Sequence, residues 1–372
     1  MIQLLKLSYL DALRGYAILG VILTHTTRNF NGSIPEMLYQ FGIQGSRGVQ
    51  LFFIVSSFTL FYSLEKYSFN RTFALPDFYI KRFFRIAPMF YFALLFYLLF
   101  NLVNDLLGIY SNYPDVSLSL LLSTITFTTV LHPDWLFSLV PGGWSISNEF
   151  LFYLCIPVLF KWIRTPRQAS IFTIFSILIG MILHVSLKNM LPFSEVTSYL
   201  FYWFPNQLSI FLMGITTYYI WKKYKVSPNT YHAILLVAVL GILVLSLTPF
   251  EMISILPKHV LFGIAFSLLA FGLSGLPNHI LNNQFMQFIG TISFSIYLVH
   301  FFVLDMVNHL LFDKLEQSFA PLNALLIIFL ITFFLSVLIS FVSYRLIELR
   351  GIQTGRKLIQ QLNQGRKKKN VA

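Results

Sequence analysis

The sequence predicts an all-α, polytopic membrane helical bundle with about ten transmembrane helices and one further re-entrant or interfacial helix. Three observations support this fold class: the composition, the spacing of apolar runs and the placement of basic residues. Of 372 residues, 56% are hydrophobic and 11% are charged, whereas soluble domains average roughly 45–50% and about 25%. With a mean hydropathy of +0.72, the chain carries more apolar surface than one core can bury, which indicates a lipid environment.

Apolar runs of about 17–25 residues, the length that crosses a bilayer, recur along the whole chain. Eleven runs lie at roughly 9–27, 47–64, 84–104, 116–131, 146–162, 169–187, 203–221, 231–248, 258–274, 287–311 and 322–345. The first run is interrupted by Asp11 and Arg14 and has no small-residue cleavage site after it. We therefore expect a retained transmembrane helix rather than a cleavable signal.

Basic residues form four clusters that should face the cytoplasm under the positive-inside rule. The clusters are Lys66, Arg71, Lys81, Arg82 and Arg85; Lys161, Arg164 and Arg167; Lys222, Lys223 and Lys225; and the stretch from Arg345 to Lys369. Three runs separate the first two clusters, and an odd number of crossings would put these clusters on opposite sides. One of the three runs should therefore not span the membrane.

The run at 116–131 is the weakest of these three, because it is short and rich in Ser and Thr. We predict a re-entrant or surface-lying helix there, buried by protein, although the sequence leaves open whether 116–131 or 146–162 is the spanning segment. Ten spans then place both termini in the cytoplasm.

The domain organisation follows from the same pattern. We predict one integral-membrane domain over 1–350 and a basic cytoplasmic tail over 351–372, which would lie near anionic headgroups. The net charge of +12 is explained by loops and tail, so no nucleic-acid partner is expected. The single cysteine, Cys155, excludes an intramolecular disulfide and a cysteine-based metal site, and we expect no metal.

The first predicted span carries Asp11, Arg14 and His25, although charges within a span are costly. At about 100° per residue, Arg14 and His25 lie roughly 20° from alignment, and Asp11 lies about 60° from Arg14. The three side chains thus share one stripe, with Arg14 and His25 separated by about 16 Å along the axis. The stripe either lines a polar path or consists of an interfacial ion pair and an interfacial histidine.

A second polar group comprises Lys81, Arg82 and Arg85, of which Arg82 and Arg85 lie on one helical face where a span begins. Guanidinium pairs suit phosphate recognition because of their fixed fork of donors. Ordinary positive-inside anchoring would also place basic residues here, so a phosphate-bearing cytosolic ligand and a simple anchor both remain open.

A third group follows the turn Pro141-Gly142-Gly143 and includes Trp144, Ser145 and Glu149. Glu149 lies just inside an apolar segment, where a carboxylate is either paired or protonated.

A fourth group, Ser293, Tyr297 and His300, follows an i, i+4, i+7 pattern and shares one helix face. A buried histidine is often an ordinary core residue, but three stacked polar groups favour a site equally well.

These groups together resemble the membrane acyltransferase 3 family, the bacterial multi-pass enzymes that O-acylate surface glycans. The resemblance rests on residues 10–19 followed by His25, on residues 48–56, on the R-x-x-R element at Arg82 and Arg85, on Trp144-Ser145 with Glu149, and on residues 295–300. The sequence departs from the family pattern at Gln50, Ser57 and Phe150, which bears on substrate fit.

The resemblance implies a bacterial inner-membrane O-acyltransferase that moves an acyl group, most simply acetyl, from cytosolic acyl-coenzyme A to a cell-surface or lipid-linked glycan. His25 would be general base or acyl carrier, with the former favoured. Arg14 would contact the donor or an oxyanion, Asp11 would orient Arg14, and Glu149 would orient a histidine or a hydroxyl. The donor would bind Lys81, Arg82 and Arg85, while Trp144, Ser145, Tyr297 and His300 would line the acceptor site.

Two other classes of function remain open from the sequence. A transporter or glycan flippase would use Asp11, Arg14 and His25 as a relay, and a structural scaffold would pair its buried polar residues in a dry core. The acyl group, the acceptor sugar and the oligomeric state are not readable from the sequence.

Overall fold

The computed structural model describes residues 7–69, 75–108, 116–137, 139–188, 190, 196–248 and 256–369. These residues form α-helices joined by short turns, and no β-strand occurs among them. The helices are α1 Ser8–Thr27, α2 Glu36–Gln44, α3 Gly48–Phe69, α4 Leu75–Leu106, α5 Leu118–Ile125, α6 Gly143–Trp162, α7 Pro166–Lys188, α8 Val196–Tyr202, α9 Phe204–Lys223, α10 Pro228–Leu247, α11 Lys258–Ser274, α12 Gln284–Thr291, α13 Ser293–Ser318, α14 Pro321–Ser343 and α15 Leu349–Lys369.

Several helices begin where the sequence provides a cap. Ser227 accepts a hydrogen bond from the backbone N–H of Thr230 at the start of α10, and Asn283 accepts one from Met286 at the start of α12. Proline occupies the first turn of α9, α10 and α14, where its missing N–H costs nothing.

The predicted helical membrane bundle is confirmed. Within the described ranges, seven helical stretches are long and apolar enough to cross a membrane: Glu36–Glu65, Leu75–Leu106, Gly143–Trp162, Pro166–Lys188, Pro228–Leu247, Ser293–Ser318 and Pro321–Gln364. The other three predicted spans coincide with α1 and α9, which have 20 residues each and carry more polar side chains, and with the 17-residue α11.

Residues 118–125 form the short helix α5, about 12 Å long at 1.5 Å per residue, so this segment is too short to span. After α5 the chain turns at Phe127, whose φ of 57° is unusual for a bulky residue. The Phe127 ring stacks on Phe150 of α6 with 3.7 Å between centroids, and Thr129 then bonds Ser147 on the same helix. The chain therefore folds back at Phe127 onto α6 instead of continuing as a helix, which is compatible with a re-entrant or interfacial element, while α6 is long and apolar enough to span.

Two helix boundaries differ from the apolar runs. Helix α4 begins at Leu75 rather than near 84, so Lys81, Arg82 and Arg85 lie within it. The run at 287–311 is divided at Ile292 into α12 and α13. Gly290 of α12 lies against the backbone carbonyl of Asp11, where any side chain would clash, so α12 packs closely on α1.

Helix α1 occupies the centre of the bundle, with α3, α12, α13 and α14 packed around it. At the other end of the chain, α14 continues through a π-helical turn, Tyr344–Glu348, into α15, which packs on α4. The predicted boundary between membrane domain and tail at residue 350 therefore lies within a continuous helical stretch, and a separate tail domain stays a prediction.

Candidate functional site

Two neighbouring cavities contain most of the polar residues singled out from the sequence. The arginine cavity is lined by residues that include Arg14, Arg82, Arg85, Ser145, Glu149 and Tyr297. The histidine cavity is lined by residues that include His25, Arg28, Arg47, Gln50, Trp144 and Tyr297. Their empty volumes, open mouths included, are about 780 and 1080 Å³.

Arg14 projects from α1 into the arginine cavity. Its Nη1 donates to Asp11 Oδ1 at 2.8 Å, and its Nη2 donates to Thr59 Oγ1 of α3 at 3.2 Å. Asp11 therefore holds the guanidinium in place, as expected for residues three apart on a helix. The ion pair and the cavity lining coexist, because the guanidinium has further donors available.

The two arginines of α4 differ in their surroundings. Arg85 forms a salt bridge with Glu348 of the π-helical turn, and the same carboxylate accepts a hydrogen bond from Ser295 at 2.6 Å. The Glu348 side chain is fully buried, so much of the Arg85 charge is compensated there. Arg82 instead lies over the Tyr153 ring, 5.9 Å from its centroid, and its buried Nε has no hydrogen-bond partner.

Glu149 of α6 completes the polar lining of the arginine cavity. Its Oε1 accepts hydrogen bonds from Ser56 Oγ at 2.5 Å and from Tyr153 Oη at 2.6 Å. The structure thus places Glu149 beside hydroxyl donors and not beside a histidine. These two hydrogen bonds hold the Glu149 carboxyl in position at the wall of the arginine cavity.

Tyr297 of α13 separates the two cavities and lines both. Its hydroxyl donates to the Gly142 carbonyl at 3.1 Å and accepts a hydrogen bond from Ser145 at 2.9 Å. Gly142 has a φ of 77°, which glycine adopts without strain, and a Cβ at this position would run into the Tyr297 ring. The turn before α6 and the face of α13 therefore form one hydrogen-bonded partition.

His25 lies in the histidine cavity near the C-terminal end of α1. Its ring centroid is 4.4 Å from that of Phe301 and 5.5 Å from that of His300. Among the described residues no group hydrogen-bonds the His25 imidazole, and the side chain lines the cavity. A partly buried imidazole that lines a pocket can accept a proton from a bound hydroxyl.

His300 lies behind His25 and is fully buried. Its Nδ1 lies 3.1 Å from the Ile296 carbonyl, and because a carbonyl only accepts, Nδ1 carries the proton. The remaining nitrogen, Nε2, has no partner. His300 does not line either cavity, so it can act on a ligand only through His25 or Tyr297.

The structure brings Arg14, Arg82, Arg85, Ser145, Glu149 and Tyr297 together in one cavity and His25, Trp144 and Tyr297 in the other. Lys81 lines neither cavity. Trp144 packs against Tyr202 with ring centroids 4.6 Å apart and forms part of the wall near His25.

Some residues at these cavities were not identified from the sequence. They are Ser56, Thr59, Tyr153 and Arg47, which line the cavities, and Glu348, which pairs with the lining residue Arg85. A signal existed for Tyr153, which lies one helical turn after Glu149, and for Glu348, an acidic residue within a basic stretch. No group of three His, Cys, Asp or Glu residues able to hold a metal ion occurs in the part of the chain that the structure describes.

A protein-family model described as an acyltransferase domain, that of the acyltransferase 3 family, matches residues 7–345, nearly the whole chain. No curated protein and no solved structure matches the chain at a significant level. The match covers every residue that lines the two cavities and ends before Glu348.

Proposed function

Because this chain belongs to the acyltransferase 3 family and is a membrane acyltransferase, we propose that it acylates a hydroxyl of a cell-surface or lipid-linked glycan. The donor is cytosolic acyl-coenzyme A and the acyl group is most simply acetyl. The family match decides for an enzyme over the transporter and the scaffold. The observation that carries the proposal is the pair of cavities that meet at Tyr297, one basic and one containing His25.

We place the protein in a bacterial inner membrane with both termini and the arginine cavity on the cytosolic side. The distribution of basic residues supports this orientation, because α6 and α9 end in Lys161, Lys222 and Lys223 at the same side of the bundle as Arg14. The histidine cavity then faces the extracytoplasmic side. Donor and acceptor thus approach from opposite sides.

The arginine cavity fits a phosphate-bearing donor. Arg82 has an unpartnered buried Nε, and Arg14 and Arg85 bring further guanidinium donors, which suit phosphate oxygens. Bound there, the donor supplies an acyl group activated as a thioester. Lys81 stays a weaker candidate, because it lies outside the cavity.

His25 takes the proton from the acceptor hydroxyl in this proposal, since a neutral imidazole is an effective base near neutral pH. The hydroxyl oxygen forms the ester bond as the C–S bond of the thioester breaks, and coenzyme A leaves as the free thiol with one proton. Arg14 and His25 lie about 16 Å apart along α1. Arg14 therefore acts on the donor in the arginine cavity rather than on an oxyanion beside His25. Tyr297 must move aside for the acyl group to reach His25, which makes the partition part of the reaction path.

The central experiment measures acetyl transfer by the purified protein in lipid nanodiscs with radiolabelled acetyl-coenzyme A and a glycolipid fraction. His25→Ala should lower the rate by about 10²–10⁴-fold, the contribution of a general base. His232→Ala is the matched control, because His232 is exposed and outside both cavities. Wild-type transfer by the His25 variant would refute the proposed role.

The donor site is tested with Arg82→Ala. We expect a higher KM for acetyl-coenzyme A with a small change in kcat, because Arg82 would contribute binding rather than chemistry. Arg164→Ala is the control, since Arg164 packs over the Phe160 ring at 4.2 Å and lines neither cavity. Equal KM values for the two variants would contradict a donor site at Arg82.

A further inference from the structure

We propose that the acceptor is anionic and that Arg47 binds its acid group in the histidine cavity, while Gln50 binds its neutral hydroxyls. This inference rests on the proposed function, because it defines the substrate class of the same site. The acid group is a sugar carboxylate or a phosphate of a lipid carrier, which present the same chemistry to a guanidinium.

The charge of the histidine cavity is the first argument. Arg28 and Arg47 both line it, and none of the described lining residues is an Asp or Glu. Lys258 at the start of α11 lies close enough to Arg47 for the two charges to repel. On the orientation proposed above, this is the side where the positive-inside rule makes basic residues least common, so topology does not explain them.

The surroundings of Arg47 are the second argument. Its Nε donates to the neutral amide oxygen of Gln44 at 3.2 Å. Its guanidinium lies over the rings of Phe201 and Phe262, 5.1 and 5.8 Å from their centroids. No described carboxylate lies within salt-bridge distance of it. A partly buried charge without a counter-charge is costly, and an anionic ligand is the partner that would offset this cost.

Gln50 is the third argument. The side chain lines the histidine cavity and is only 2% exposed, yet neither its amide oxygen nor its amide nitrogen has a hydrogen-bond partner. Buried polar groups in folded proteins are normally paired. An amide offers both a donor and an acceptor, which matches a sugar hydroxyl that accepts and donates at once.

The position of these two residues relates them to His25. Arg47 ends the short turn after α2 and Gln50 lies in the first turn of α3, and both face the cavity that His25 enters from α1. A sugar held by Arg47 and Gln50 would therefore present a hydroxyl to the free imidazole. The aromatic side chains of Trp144 and Tyr202 provide an apolar wall for the ring face.

Equilibrium binding without donor tests the proposal, so that its outcome does not depend on acyl transfer. The probes are methyl β-glucuronoside, methyl β-glucoside, and glucose linked through a diphosphate to farnesol, measured by calorimetry on the protein in neutral-lipid nanodiscs. The first pair differs only in the sugar carboxylate, and the third probe carries its charge on the lipid linker. If the glucuronoside binds more tightly than the neutral glucoside, the acid group is a sugar carboxylate. If the diphosphate probe does, the acid group is a phosphate of the lipid carrier.

In the wild type we expect at least one anionic probe to bind tenfold or more tightly than the glucoside. Arg47→Gln should remove this preference, and Arg47→Lys should keep part of it. Gln50→Met should weaken the binding of all three probes by a similar factor and leave the preference for the anionic probe unchanged.

Two results would overturn the proposal. One is a wild type that binds no anionic probe more tightly than the glucoside, whatever the variants do. The other is an Arg47→Gln variant that keeps the full preference. Failure of the His25→Ala transfer test would leave this binding result standing, so the two failures are distinguishable.

Discussion

At the residue scale, the salt bridge between Arg85 and Glu348 joins an arginine of the arginine cavity to a buried carboxylate. The Glu348 carboxylate is fully buried and is also bonded by Ser295. Glu348→Ala leaves the Arg85 guanidinium, which is 34% exposed, without its partner, and we expect the free energy of unfolding to fall by about 1.5–3 kcal/mol, the contribution of a hydrogen bond to a charged group. The measurement is unfolding in mixed micelles.

Two comparison variants make this prediction specific. Arg85→Ala/Glu348→Ala removes both charges and should be more stable than Glu348→Ala alone. Lys222→Ala removes an ion pair with Glu65 in which Lys222 is half exposed, and such pairs contribute about 0–1 kcal/mol. A double variant as unstable as Glu348→Ala would show that Arg85 and Glu348 are not coupled.

A second residue-scale prediction concerns the hydroxyl that holds Glu149. Tyr153→Phe keeps the ring beneath Arg82 and removes only the hydrogen bond to the carboxylate. A hydrogen bond to a charged group contributes about 1.5–3 kcal/mol, so kcat/KM for acyl transfer should fall roughly tenfold to a hundredfold. Tyr91→Phe is the control, because the Tyr91 hydroxyl bonds an exposed carbonyl and Tyr91 lines neither cavity. Equal losses in the two variants would mean that Glu149 needs no fixed position.

The sequence predicted contacts at the site where the two residues lie close together in the chain. The Asp11 and Arg14 pair follows from residues three apart on one helix, and the bonded pair is present. The pairing of Arg85 with Glu348 joins residues 263 positions apart, and no local pattern encodes such a contact. The separation of Glu149 from His25 likewise depends on how α6 packs, which periodicity does not report.

At the element scale, the contact between α15 and α4 holds the helix that carries Arg82 and Arg85. Gly355 of α15 lies directly against Phe84 of α4, where an added side chain would meet the phenylalanine. Gly355→Leu should therefore displace α15, lower the free energy of unfolding by about 1–3 kcal/mol, and raise the KM for the donor. Thr354→Leu changes the exposed neighbour on the same helix and should do neither. The KM of the two variants, measured side by side, decides whether α15 positions the donor site.

Apolar runs predicted which segments are helices more reliably than where the helices begin. The run at 84–104 misses the first turns of α4, because Asp77 and Lys81 lower the hydropathy of a stretch that is nonetheless helical. The break at Ile292 is invisible in hydropathy, since both α12 and α13 are apolar there. It arises from tertiary packing, in which Gly290 meets the backbone of α1.

At the scale of the whole molecule, the basic clusters and the number of runs predict a re-entrant or interfacial element. The first two clusters can both face the cytoplasm only if one run between them does not cross the membrane. The short helix α5 and the turn at Phe127 meet that requirement. The division of the site into two cavities was not predictable, because it depends on Tyr297 bonding a turn that lies 155 residues away.

The same parity predicts which ends of the helices face the cytoplasm, and single cysteines can test it. Cys155 is the one cysteine of the chain, so Cys155→Ser gives a cysteine-free background. In this background, Met37→Cys, Tyr224→Cys and Leu362→Cys each introduce a thiol at an exposed position.

Labelling with a membrane-impermeant maleimide gives the test. Met37→Cys should react in intact spheroplasts, because α2 lies at the histidine-cavity end of α1. Tyr224→Cys and Leu362→Cys should react only after permeabilisation. Tyr224 follows the end of α9 and Leu362 lies in α15 after α14, and both are at the end of the bundle opposite to α2. Reaction of Tyr224→Cys in intact spheroplasts would reverse the proposed orientation, and with it the assignment of the arginine cavity to a cytosolic donor.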